Sequence, residues 1–468
     1  MPSKTFTRRG FLQSGAAAGL LWSSGVGASA QLPIARNGDP EARNIILLVA
    51  DGMNTGTWTV ADYYQQHQTQ RRTEWVKLYQ EEEVARALME TCSANSHVTD
   101  SAAASSAWSS GQRIKNGAIN VTPDGTQLTP IHDLVKKSQR SSGLVTTTRV
   151  THATPAAFAS SVASRGQEDA IALQYLDRGV DVILGGGSVH FDGAVRKDGI
   201  DLAGRYRAGG YTVINSRDQL LKGVEAIPNR LLGTFWPSHL PYSIDWNHDA
   251  EIAARVPTLG EMMRAALAIL EQNPSGFLLQ VEGGRVDHAG HGNDVGAIVH
   301  DQLAFDDCIA IARAYTQQNP DTLVVVTTDH GCGGCQLNGV GGGYADTDKT
   351  FFPGVDAIGA SYEHLQRVRK NLEVESFAQL VEKSLQVTID DARHEELEVA
   401  AKAGGYAVAN LLRNWHGSKA RTGVNWTSQN HTGEFVELSA WGPGSQVLKP
   451  WIRNSDLFGV MRGALQLS

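Results

Sequence analysis

Glu282-Gly283-Gly284-Arg285-Val286-Asp287-His288-Ala289-Gly290-His291 follows directly on the apolar run Phe277 to Val281. If the chain turns helical after Val286, Asp287 and His291 stand four residues apart on one face. A carboxylate and an imidazole aimed at one point suit a divalent metal such as zinc. Glu282, at the strand end, is then free to serve a different point. Four further segments join strand-like runs to metal-type donors. Asn44 to Ala50 ends at Asp51-Gly52, Thr322 to Thr328 at Asp329-His330-Gly331, and Leu144 to Val150 at Thr151-His152-Ala153-Thr154. Asn430-His431-Thr432-Gly433 precedes the alternating run Glu434 to Leu438. Short, continuously apolar runs with helical patterns between them fit buried strands of a mostly parallel sheet. In such α/β folds ligands gather at the carboxyl ends of strands, so donors distant in sequence can converge. A single Asp-Gly after a strand is usually only a turn; several strand ends carrying Asp, His or Glu call for another explanation.

Ser101 is the candidate nucleophile, within Val98-Thr99-Asp100-Ser101-Ala102-Ala103-Ala104. Thr, Asp and Ser are N-cap residue types, and the alanine-rich run after them favours helix. Ser101 then lies in a first helical turn, where free N–H groups and the helix dipole favour an anion. The bland alternative is an ordinary capping serine. No base adjoins Ser101, so its activation falls to the metal donors.

Thr99-Asp100-Ser101-Ala102-Ala103, Glu282 through His291, Asp329-His330 and His431-Thr432-Gly433 together resemble the alkaline phosphatase family, in order and spacing from about Asn44 to Leu438. The resemblance implies a central, mostly parallel sheet flanked by helices, two zinc ions, one magnesium ion and a phosphoseryl intermediate on Ser101. Carried over by position, Asp287, His291 and His431 match the first zinc site, and Asp51, Asp329 and His330 the second. Asp51, Thr154 and Glu282 match the magnesium site, and Arg165 the arginine that clamps phosphate. His152 and His288 occupy positions where the family varies, beside the ligands rather than among them. The donor types agree: mixed nitrogen and oxygen suits zinc, all-oxygen suits magnesium, and arginine offers phosphate a two-pronged contact that lysine cannot. The activity implied is hydrolysis of phosphate monoesters with broad tolerance of the leaving group.

Thr7-Arg8-Arg9-Gly10-Phe11-Leu12, a mildly apolar stretch from Ala16 to Val26 and Ala28-Ser29-Ala30 read as a twin-arginine export signal over residues 1–30. The twin-arginine machinery is therefore an expected partner, and a periplasmic or secreted location follows. The stretch is too short for a permanent membrane anchor. The formal net charge is −8; loss of Lys4, Arg8 and Arg9 takes it to −11. That balance argues against nucleic acid as a stable partner. Of the four cysteines, Cys332 and Cys335 frame a Cys-Gly-Gly-Cys loop after Asp329-His330, for which a local disulfide is the natural reading in an exported protein. Cys308, in a helical pattern, is expected to be buried.

Donors running from Asp51 to His431 require one large domain, residues 31–468. Helices are expected over Thr258 to Gln272 and Ala297 to Thr316. Residues 337–430 form an insertion, loop-like at first and then helical from about Glu375 to Leu412. In the family this region often builds a cap or crown and contributes to dimer contacts, which implies a homodimer. Two alternatives stay open. A sulfatase or phosphodiesterase could use the same core, but Ser101 lacks the proline two residues on that formylglycine formation needs, and the diesterases generally lack the Glu282 carboxylate. A non-catalytic periplasmic binder of metal or phosphate would have no use for an activated serine.

Overall fold

Every residue of Asn44–Val49, Phe277–Glu282 and Thr322–Thr327 is buried, which is why these runs are apolar throughout instead of alternating. The computed structural model describes residues 41–468 apart from 82, 224–226, 340–341, 345–351, 405 and 417–422. The expected export signal, residues 1–30, lies outside the described residues. The strands in chain order are β1 Asn44–Val49, β2 Ala85–Glu90, β3 Ser141–Arg149, β4 Val182–Gly186, β5 Thr212–Ile214, β6 Leu231–Thr234, β7 Phe277–Glu282, β8 Thr322–Thr327, β9 Gly331–Cys332, β10 Gln336–Leu337, β11 Val424–Asn425, β12 His431–Thr432, β13 Val436–Trp441 and β14 Trp451–Arg453.

Ten of them form one sheet in the order β14-β2-β13-β8-β1-β7-β3-β4-β6-β5. All neighbours pair in parallel except β13, which runs against both β8 and β2. The middle strands end level: Val49 of β1 is in register with Glu282 of β7 and Thr327 of β8, and Glu282 with Thr146 of β3. Asp51, Glu282 and Asp329 therefore leave the sheet at one edge. Because β13 is reversed, its beginning lies at that same edge, and His431 just upstream is delivered there too. The fold is the α/β architecture expected from the sequence.

Helices cover both faces. Ile45, Leu47 and Val49 belong to one buried apolar cluster and Ile46 and Leu48 to the other, the two-residue alternation of a strand buried on both sides. The helix Leu259–Leu270 is fixed at its start by a capping box between Thr258 and Glu261 and buries Leu259, Met262, Met263, Ala266 and Leu270. The helix Val295–Gln318 buries Cys308. In the insertion, the helical pattern resolves into three helices, Val374–Leu385, Asp391–Ala403 and Ala407–His416. No helix among the described residues is long and apolar enough to cross a membrane.

Leu47 is fully buried, opposite Gln280 and Val325 in the middle of the sheet. Leu47→Ala is expected to destabilise the protein by about 2–5 kcal/mol. The urea unfolding midpoint should drop accordingly; an unchanged midpoint would mean that the sheet centre tolerates a cavity.

Candidate active site

The helix Arg285–Gly292 begins immediately after β7 and sets Asp287 and His291 on one face. His431 reaches them from β12. His291 Nε2 lies 3.1 Å from His431 Nε2 and 3.4 Å from Asp287 Oδ2, while His431 Nε2 is 3.5 Å from Asp287 Oδ1. The other ring nitrogens decide the protonation. His291 Nδ1 donates to the Gln429 carbonyl at 2.5 Å and His431 Nδ1 to the Thr99 carbonyl at 2.8 Å, since a carbonyl can only accept. The two Nε2 atoms are thereby left to face each other and a carboxylate with their lone pairs. That arrangement is repulsive unless a cation stands between them. Bonds of about 2.0–2.1 Å at tetrahedral angles put zinc donors roughly 3.3 Å apart, close to these separations. Carbonyls that fix the tautomers of ligating histidines are the usual support of a metal site.

A second group forms where β1 and β8 end. His330 Nε2 lies 3.1 Å from Asp329 Oδ2, 3.7 Å from Asp51 Oδ1 and 3.3 Å from Ser101 Oγ, all buried. Ser101 is the first residue of the helix Ser101–Ser110, and Asp100 caps it by accepting from Ala103 N–H at 2.9 Å. The third group collects Asp51, Glu282 and His152, with Thr154 Oγ1 donating to Asp51 Oδ2 at 3.3 Å. Glu282 Oε2 accepts from Thr146 and Thr148. The structure therefore brings together Asp287, His291 and His431; Asp51, Asp329, His330 and Ser101; and Asp51, Thr154 and Glu282. All three groups fit divalent metals. Asp51 Oδ1, Glu282 Oε1, Asp287 Oδ1 and Asp329 Oδ2 are buried without any hydrogen-bond partner, a costly state for carboxylates that no cation neutralises. Burial, then Asp329, Asp287 and Glu282, pushes the Asp51 carboxyl well up. Burial holds Glu282 at about 7.

Three carboxylate–arginine–histidine chains adjoin the groups. Asp100 and His152 hold Arg165, Nη1 donating to Asp100 Oδ2 at 3.1 Å and Nη2 to His152 Nε2 at 2.9 Å. Glu168 grips Arg149 in two-pronged fashion at 2.7 and 2.8 Å, and Arg149 meets His239. Glu363, from the insertion, takes Arg285 Nη2 at 2.7 Å, while Arg285 Nη1 donates to His288 Nδ1 at 2.9 Å. The rings of His152, His239 and His288 stand 4.2–5.5 Å apart. Burial first, then the neighbouring histidines and arginines, depresses all three, His288 to about 3, so they are neutral near pH 7. Arginine only donates, so His152 accepts at Nε2 and carries its proton on Nδ1, which has no partner. His152 thus reaches the third group by distance, but while Arg165 holds it the ring nitrogen facing away from the arginine carries a proton and cannot hold a metal.

No motif in the sequence assigns a role to His239, Arg149, Glu168 or Arg285. His239 lies between β6 and the next helix in a stretch without periodic or motif signal. Arg285 sits inside the decisive ten-residue stretch, but nothing local reveals its partner Glu363. The expected Cys332–Cys335 disulfide is corrected: both sulfurs are free and buried. Cys332 turns toward Asp287, His291 and His431, whereas Cys335 packs into the apolar cluster beside Thr57. The two thiols serve different surroundings and do not meet.

The family model described as alkaline phosphatase matches residues 42–467. Alkaline phosphatase 3 of Bacillus subtilis is 31% identical over 447 residues, covering 94% of this chain and 92% of the relative. The human tissue-nonspecific alkaline phosphatase is 31% identical over 392 residues, 70% of this chain and 73% of the relative. Among solved structures, Thermus thermophilus alkaline phosphatase superimposes with a TM-score of 0.85 at 34% identity, covering 93% of each chain. The cold-active alkaline phosphatase of Shewanella gives 0.76 at 30% identity, covering 90% of this chain and 99% of the other.

A group whose folded pKa is raised holds a proton that the unfolded chain has already lost. For Glu282, with an ordinary value of 4.5 and a folded value of about 7, stability of the metal-free protein should fall as pH rises between those values and level off above. A bound cation replaces that proton, so metal uptake should release protons and abolish the decline. Thermal melts of chelator-treated and metal-reconstituted protein from about pH 5 to about pH 8 test this. A metal-free melting temperature that rises across the window would contradict the assignment of Glu282.

Proposed function

The chain belongs to the alkaline phosphatase family, and from that premise we propose that it hydrolyses phosphate monoesters through a phosphoseryl intermediate on Ser101. One observation carries the reading: Ser101 Oγ, buried at the positive end of a ten-residue helix, points at the bare-donor cluster 3.3 Å from His330 Nε2. A capping serine would instead turn its hydroxyl to the backbone, a task that Asp100 already performs. Asp287, His291 and His431 would hold one zinc ion, and Asp51, Asp329 and His330 a second. Asp51, Thr154 and Glu282 would hold magnesium. When bound, these ions offset charge developing on the attacking, transferred and leaving oxygens.

The residues of the chain do the rest. Ser101 Oγ forms a bond to phosphorus as its proton is lost, and the alcohol departs with a proton from solvent. Water then displaces phosphate from Ser101 and restores the hydroxyl. Arg165, kept beside the nucleophile by Asp100 and His152, presents a planar fork to two phosphoryl oxygens. The helix dipole at Ser101 favours the same anion. None of these contacts grips the leaving group, which supports broad tolerance of the alcohol. The Arg8-Arg9 leader read from the sequence supports export by the twin-arginine route to the periplasm or beyond.

Ser101→Ala should retain bound metal but lose about 10³-fold or more in kcat, because the covalent route is gone while binding and electrostatics remain. Acid quenching of the parent during turnover should trap phosphate on Ser101. Label on another residue, or full activity in the variant, overturns the mechanism. For Arg165→Lys, loss of a charge-assisted bond worth about 1.5–3 kcal/mol should raise KM roughly ten- to a hundredfold. Inhibition by free phosphate should weaken in parallel. Unchanged KM and phosphate inhibition would remove Arg165 from the binding site.

A further inference from the structure

β9 consists of Gly331 and Cys332, paired antiparallel with β12 so that Cys332 is directly opposite His431. Residues directly opposite in an antiparallel pair project to the same face, with Cβ atoms about 4.5–5.5 Å apart. Cys332 therefore enters the space that His431 enters. The far wall of that space is the helix carrying Asp287 and His291, and its approach to β9 depends on Gly290. A Cβ at Gly290 would lie 3.0 Å from Cys332 Cβ and 3.2 Å from its Sγ, so a larger residue there would crowd the sulfur. Cys332 is fully buried. Its Sγ and one ligand atom each from Asp287, His291 and His431 all lie within 4.8 Å of one another. Asp287 Oδ1, in the same space, is buried without a hydrogen-bond partner.

We propose that Cys332 is a fourth protein donor to the metal position formed by Asp287, His291 and His431, binding as the thiolate. The inference rests on the metal reading above and adds a ligand to it. On binding, the S–H bond breaks, the proton passes to solvent, and a sulfur–metal bond forms; nothing is oxidised or reduced. One carboxylate, two imidazoles and one thiolate make a borderline-soft donor set, which selects zinc or cobalt over magnesium. Neither of the other two groups contains sulfur, so the three positions should differ in selectivity, the thiolate one being the most averse to magnesium. Zinc also expands to five-coordination, so four protein donors still admit a substrate oxygen.

The test uses the metal itself. The parent, Cys332→Ala, Cys332→Ser and, as a control, Cys335→Ala are loaded with cobalt(II), and the bound metal is counted alongside the near-ultraviolet spectrum. Thiolate-to-cobalt charge-transfer absorption is expected in the parent and in Cys335→Ala. It should be lost in both Cys332 variants, which should still take up cobalt but release it to a competing chelator roughly tenfold more readily or worse. Should the variants not fold, zinc-edge X-ray absorption of the parent replaces them, with a sulfur shell at about 2.3 Å expected. Cobalt bound in the parent without the band, a band that survives in Cys332→Ala, zinc without a sulfur shell, or a Cys332–Cys335 disulfide in the loaded enzyme each overturns the proposal. Failure of the parent to bind any cobalt or zinc would instead strike the metal reading on which it rests.

Discussion

Unneutralised negative charge at one edge of the sheet is the constraint on which the rest of the structure turns. Asp51, Glu282, Asp287 and Asp329 are buried within a small volume, each with an oxygen that no hydrogen bond reaches. Carboxylates do not stay ionised in such surroundings without a partner of opposite sign. Arginine is not that partner here. Arg149, Arg165 and Arg285 each face a carboxylate outside this set, Glu168, Asp100 and Glu363. The imidazoles serve only in part: against its burial, His330 is drawn toward its charged form by Asp329, while His291 and His431 give their Nδ1 protons to carbonyls and turn Nε2 inward. Divalent cations would answer both problems, and the Ser101 hydroxyl lies 3.3 Å from His330 Nε2 at the margin of the same cluster.

The topology explains how residues so distant in sequence meet. Parallel strands that end level deliver Asp51, Glu282 and Asp329, and the reversed β13 delivers His431 at the same edge. The Thr99 carbonyl that orients His431 sits two residues before Ser101, so His431 and Ser101 are positioned by one loop. Arg285 then ties this edge to the insertion: it is fully buried, lies 3.7 Å over the Tyr242 ring and reaches Glu363. Ser361 and Tyr362, beside Glu363, are held in turn by Asp245 and Asp294. The insertion is thus joined to the neighbouring helices by the buried Ser361 and Tyr362 contacts and, at the sheet end, by Arg285, whose fully buried guanidinium would be left unsatisfied if Glu363 parted from it.

Much of this was legible in the sequence because strand-end donors have a local signature. Asp51, Glu282 and Asp329-His330 follow continuous apolar runs, and Asp287 and His291 have helical spacing. His431 was harder, since it precedes its strand; the alternating run Glu434 to Leu438 marked its place and the motif resemblance gave it a role. Arg149 ends β3, Glu168 opens the helix Glu168–Arg178 and His239 lies in a bend, so their chain closes only in three dimensions. The insertion's helices read as one pattern because Gln386 to Asp390 and Gly404, where they break, interrupt it only briefly. Cys332 was misread for a physical reason: spacing suggested pairing with Cys335, but the register of β9 on β12 turns the first sulfur to the donors while the second packs in the core.

Anomalous diffraction at the zinc absorption edge, from crystals of enzyme purified without chelator, tests the central claim most directly. One peak is expected among Asp287, His291 and His431, and another among Asp51, Asp329 and His330 beside Ser101. Zinc-replete crystals with no anomalous density at either position, and with those carboxylates protonated or bonded to solvent instead, would contradict the assignment of this edge as a metal-dependent catalytic centre.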